Sequence, residues 1–126
     1  MLEEIRGLPE HVVGIRATGN ITKDQYDQVF IPAVEKVAKE HKNINLLLLL
    51  ETDIGDYSGG AWIKDMLTGL KYFSKWNRVA IVTDQKFVEK ATDMFSVIVP
   101  GEYMGFSIAE LEKAEMWVEE GAAVGK

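Results

Sequence analysis

Apolar and polar positions alternate at the start of the chain and switch to helical spacing soon afterwards. "LEEI" (Leu2 to Ile5) and "HVVGIRATG" (His11 to Gly19) read as two strands, with Val13, Ile15 and Ala17 set against Arg16 and Thr18. The turn "RGLPE" between them is short, which implies an antiparallel pair. A helix is predicted to open at Thr22, with Gln25 at the spacing of a capping box. Tyr26, Val29, Phe30, Ala33, Val34 and Val37 then recur at three and four, as one buried helical face requires. Pro32 falls inside that pattern and is expected to kink or split the helix, because it lacks an N–H and crowds the preceding turn.

The run Leu46–Leu50 has no polar alternation at all, as expected of a strand covered on both faces in a parallel sheet. From about Gly59 to Trp76 the helical period returns through Trp62, Ile63, Met66, Leu67, Leu70 and Phe73, with Gly69 read as a place of close helix–sheet approach. "RVAIVT" (Arg78 to Thr83) predicts another buried strand, and "DQKFVEKATDMF" a helix with Phe87, Val88, Ala91, Met94 and Phe95 inward. "GEYMGF" is a last short strand. Ser107 and Glu110 form a second capping box, opening a helix with Ile108, Leu111, Ala114, Trp117 and Val118 inside. The predicted order is ββαβαβαβα, an α/β fold. Its mixed sheet has about five strands, antiparallel at the start and then parallel, with about four helices. Residues 1–120 are expected to form one domain, and 121–126 a frayed tail.

Composition narrows the chemistry. Apolar residues at 47% and charged residues at 27% describe an ordinary globular chain, and the lack of cysteine excludes disulfides, thiol catalysis and Cys-ligated metals. A net charge of −6 without a basic cluster argues against nucleic acid and against purely electrostatic membrane attachment. The acidic start has no apolar signal core, and the leucine run is short of the roughly 20 residues a membrane span needs, so a cytoplasmic protein is expected.

The helix "AWIKDMLTGLKYF", the stretch "WNRVAIVTDQKFVEK" and the end "GEYMGFSIAELEKAEMWVEE" together resemble the bacterial SpoIIAA-like family often labelled STAS/SEC14. Its relatives are the STAS anti-anti-sigma factors and the CRAL-TRIO (Sec14) lipid-binding domains. The resemblance rests on Trp62, Asp65 and Gly69, on the Arg78–Val82 strand with Asp84 after it, on Phe106, and on Ala114 and Trp117. It implies a SpoIIAA-like fold and a non-enzymatic role. Anti-anti-sigma STAS proteins carry Asp-Ser-Ser/Thr-Gly at a strand-to-helix junction, with the second hydroxyl phosphorylated. The matching stretch here is Asp56-Tyr57-Ser58-Gly59, with Tyr57 in place of the first hydroxyl and Ser58 as the candidate phosphoacceptor.

Each candidate has a plainer account beside it. Ser58 before glycines is a good helix cap whether or not it is modified. The acids Glu51, Asp53 and Asp56 sit at the predicted carboxyl end of the central strand, where a solvated loop is the stronger account than a metal or catalytic cluster. His11 and His41 have no motif partner and read as surface residues. No P-loop or dinucleotide fingerprint occurs, so no cofactor and no metal is expected. The apolar stretch "MFSVIV" (Met94 to Val99) falls where a polar loop is expected. It reads as core, as a lid over an apolar pocket, or as a surface that meets a partner or membrane.

The leading expectation is a small non-enzymatic module for an apolar or lipid-like ligand, with peripheral membrane contact. Trp62, Met66, Met94, Phe95, Val97 and Ile98 would line its pocket or lid. The alternative is a STAS-type switch that docks on a protein partner under control of Ser58. A homodimer is compatible with either.

Overall fold

The structure, a computed structural model, describes residues 1–19, 23–41, 44–51, 76–84 and 102–124. Strands β1 (Leu2–Glu4), β2 (Val12–Thr18), β3 (Ile44–Glu51), β4 (Trp76–Thr83) and β5 (Glu102–Ser107) form one sheet in the order β1-β2-β3-β4-β5. β1 pairs antiparallel with β2, and every later pairing is parallel. This is the mixed sheet that the strand pattern predicts, with β3 at its centre.

The period of two along β3 sorts the leucines between two cores. Leu46, Leu48 and Leu50 join Val13, Ile15, Ala17, Val79 and Ile81 on one face, under Tyr26, Phe30, Ala33 and Val34. Leu47 and Leu49 join Val12, Ala80, Val82 and Phe106 on the other, under Ala114 and Val118. A strand that feeds both cores has no solvent-facing side, which is why its sequence is apolar without interruption.

The first helical run has three consecutive pieces: α1 (Lys23–Gln25), a π-helical turn (Tyr26–Phe30) and α2 (Ile31–Glu40). Pro32 stands in the first turn of α2 and is the reason for the irregularity. Its missing N–H leaves the preceding turn without a regular bond, and the Ile31 N–H reaches back instead to the Tyr26 carbonyl, five residues away. The wider turn stacks Tyr26 on Phe30 with ring centroids 5.2 Å apart. Among the described residues the second helical run is α3 (Leu111–Val124), entered through a 3₁₀ turn (Ile108–Glu110). Its backbone continues past Gly121. The other two expected helices lie outside the described residues, apart from the end residues Trp76 and Asp84.

Several boundaries and burials differ from the sequence pattern. Trp76 belongs to β4 and is buried, not the end of a helix. Ile44 pairs with Trp76 but Asn45 with Arg78, so Asn77 is an extra residue in β4. This bulge turns Trp76 onto the face of Val79 and Ile81, where its ring enters the core. Ile108 is 42% exposed, because a 3₁₀ turn and not the α-helix carries it. Both histidines are half-buried, not surface residues. His11 Nε2 bonds the Glu119 carbonyl at 3.2 Å, while His41 closes α2 with its N–H on the Val37 carbonyl.

Candidate functional site

Because β2 to β5 run the same way, their carboxyl ends share one edge, with Thr18 beside Glu51 and Thr83 beside Ser107. Crevices of such sheets lie outside that edge. Arg16 on β2 reaches diagonally to Glu51 on β3 in a forked pair, Nε to Oε1 at 2.9 Å and Nη2 to Oε2 at 3.1 Å. The hydrogen bond and charge of Glu51 raise the Arg16 pKa further above its ordinary value. The pair lines a cleft of about 390 Å³ together with Glu3, Leu49, Leu111 and Glu115. With more carboxylates than cations on its wall, the cleft suits a polar or cationic group better than an anion.

Thr83 ends β4 fully buried, and among the described residues its Oγ1 has no hydrogen-bond partner. Ser107 ends β5 as the cap of the last helical run. Glu110 Oε1 accepts from the Ser107 N–H and hydroxyl, both at 3.1 Å, which holds the Glu110 carboxyl below its ordinary pKa.

The amino edge of the sheet carries a polar seam that docks α3. Three consecutive carbonyls, of Trp117, Val118 and Glu119, accept from Arg78 Nη1 at 2.7 Å, from Asn45 Nδ2 and from His11 Nε2 at 3.2 Å. Asn45 is buried and uses both ends, its Oδ1 accepting the Arg78 N–H at 3.1 Å beside the bulge. The Arg78 guanidinium also lies over the Trp117 ring, 4.7 Å from its centroid, and reaches Glu102 at 3.1 Å. Phe106 packs at a tilt against Trp117, and Ala114 lets the helix approach the sheet closely. These contacts give Arg78, Phe106, Ala114 and Trp117, four of the positions that carry the family resemblance, a shared structural purpose.

The sequence-predicted pocket residues Trp62, Met66, Met94, Phe95, Val97 and Ile98, and the candidate phosphoacceptor Ser58, lie outside the described residues. So do Asp53 and Asp56. Glu51 is described and is committed to Arg16. The seam was missed by periodicity, although one signal was present: Asn45 is the polar residue in the otherwise apolar run "INLLLLL". A buried amide there demands partners.

The fold and its helix-docking seam define a small α/β domain of the antiparallel-then-parallel type. A family model described as SpoIIAA-like matches residues 12–119, and the chain belongs to the SpoIIAA-like family. No curated protein and no solved structure matches it. Among the described residues, no helix is long and apolar enough to cross a membrane.

Proposed function

We propose that this SpoIIAA-like chain is a non-catalytic, cytoplasmic binding module for an apolar or lipid-like ligand. Trp62, Met66, Met94, Phe95, Val97 and Ile98 hold the ligand or cover it, and the same apolar segment touches membrane surfaces peripherally. The observation that carries this reading is apolar exposure at the strand the segment leads into. Met104 on β5 is 44% exposed and Ile108 just after it 42% exposed, so the run Met94–Val99 is followed by further apolar surface. The family's regulatory, non-enzymatic character agrees with it. A net charge of −6 means that any membrane contact is apolar and not electrostatic. The test is binding of a fluorescent fatty acid and of neutral phosphatidylcholine vesicles, with Ile98→Asp and Met104→Asp as variants. Binding that either variant weakens supports the proposal. An unchanged protein that binds neither probe rejects it.

A second reading is a phosphorylation-controlled docking switch at Ser58. What supports it is the Asp56-Tyr57-Ser58-Gly59 stretch in a chain of the SpoIIAA-like family, not the carboxylate-rich edge beside Arg16. Mass spectrometry of the protein from its own cells, with a partner pull-down on Ser58→Glu, tests it. An unmodified Ser58 and an unaltered pull-down count against it.

A further inference from the structure

We infer that Glu10, Glu40 and His41 form a binding site for a divalent cation of the zinc type, at the amino edge of the sheet. Two segments distant in sequence supply the donors. Glu10 ends the β1–β2 turn, while Glu40 and His41 end α2. A carboxylate oxygen from each glutamate and one imidazole nitrogen of His41 all lie within 4.8 Å of one another.

Three observations converge on a cation. First, the His41 Nε2 is shielded from solvent and, among the described residues, has no hydrogen-bond partner, a costly state for an imidazole nitrogen and one that ligation through this nitrogen would relieve. Second, two carboxylates converge where the carboxyl end of α2 already presents partial negative charge, and neither has an ion-pair partner among the described residues. Glu40 sits in the last turn of α2, where the helix dipole disfavours an acid, so a bound cation turns an unfavourable placement into a favourable one. Third, the two glutamates, though not His41, line a cleft of about 580 Å³ between the β1–β2 turn and α2, through which an ion and its waters can reach their carboxylates. Arg6 and Lys36 line the same cleft, and their charge opposes an incoming cation.

The donor set selects the metal. One imidazole and two carboxylates suit a borderline ion such as Zn²⁺, whereas Mg²⁺ and Ca²⁺ prefer oxygen alone. Tetrahedral zinc, with ligand bonds of about 2.0–2.1 Å, brings its donors to about 3.3 Å from one another. Closing from 4.8 Å asks only for rotation of two exposed glutamate side chains. Two carboxylates and a neutral imidazole balance the charge of the ion, and water completes the fourth position. Bound there, the ion staples the β1–β2 turn to the end of α2.

The test is calorimetric titration of the full chain with Zn²⁺ and, separately, Mg²⁺, using Glu10→Gln, Glu40→Gln and His41→Gln. Loss of a group that merely supports a ligand already costs about 10–100-fold in affinity, so each variant is expected to weaken Zn²⁺ binding by about tenfold or more. The two glutamates are exposed, and circular dichroism is expected to show their variants folded, which keeps the test independent of His41→Gln. One Zn²⁺ per chain, weakened by both glutamate variants, with Mg²⁺ bound far more weakly, supports the site. No Zn²⁺ binding, binding indifferent to Glu10 and Glu40, or Mg²⁺ bound as tightly as Zn²⁺ overturns it. Fatty-acid and vesicle binding do not depend on the outcome.

Discussion

The buried side chain of Asn45 donates its amide to the carbonyl of Val118, tying the centre of the sheet to the last helix. Its other end accepts the Arg78 N–H, so one side chain satisfies two elements at once. Asn45→Leu removes both bonds and leaves the Arg78 N–H without its acceptor. We expect it to destabilise the fold by about 2–6 kcal/mol, at about 1–3 kcal/mol for each of the two polar groups left unmet. Urea unfolding followed by tryptophan fluorescence checks this, and an unchanged midpoint contradicts the seam's role.

Gly14 lies in β2 directly against the β1–β2 turn. A Cβ at this position meets the Leu8 side chain in overlap and Ile5 Cβ at 2.9 Å. Gly14 also accepts the Ile5 N–H at 2.8 Å, which prevents the turn from simply lifting away. Gly14→Ala is expected to cost about 1–3 kcal/mol, the usual range for overpacking. Gly7 lies in the same turn with φ of 85°, a conformation an alanine strains to adopt, yet open space surrounds it. Comparing Gly14→Ala with Gly7→Ala by thermal unfolding separates steric from backbone strain.

Ser107→Ala removes the cap of the last helical run, and we expect a loss of about 1 kcal/mol. The capping box also has a pH signature. The Glu110 carboxyl is held below its ordinary pKa by the Ser107 N–H and hydroxyl, so its stabilising effect is whole above the ordinary glutamate range. That effect is lost as pH falls through the lower value of the folded state. An NMR titration of Glu110 is expected to give a depressed midpoint, and Ser107→Ala to return it toward the ordinary range.

Arg16 and Glu51 make a well-formed pair, yet their side chains are 45% and 32% exposed. Water and salt screen such a pair. Glu51→Gln is therefore expected to leave the thermal midpoint nearly unchanged at high salt and to lower it slightly at low salt. A large loss at both would mean that the pair supports the carboxyl edge more directly than its exposure allows.

Much of this molecule is legible in the chain itself. Alternation in β2, the unbroken leucines of β3 and the capping box at Ser107 and Glu110 each express a local rule, because strand period, two-sided burial and helix capping are decided by near neighbours. Pro32 announces its helical irregularity for the same reason.

Contacts between distant segments were decided only by folding. Nothing local marks Asn77 as a bulge, or shows that the bulge carries Trp76 into the core while the Arg78 N–H finds Asn45. His11 and His41, which read as solvent residues from their surroundings in sequence, are drawn inward by the end of α3 and the end of α2. Glu10 meets Glu40 and His41 only because the first turn folds beside the first long helix. Periodicity reports which side of an element faces the core. Which polar groups meet there depends on the register and packing of segments remote along the chain, and that is fixed by three-dimensional geometry alone.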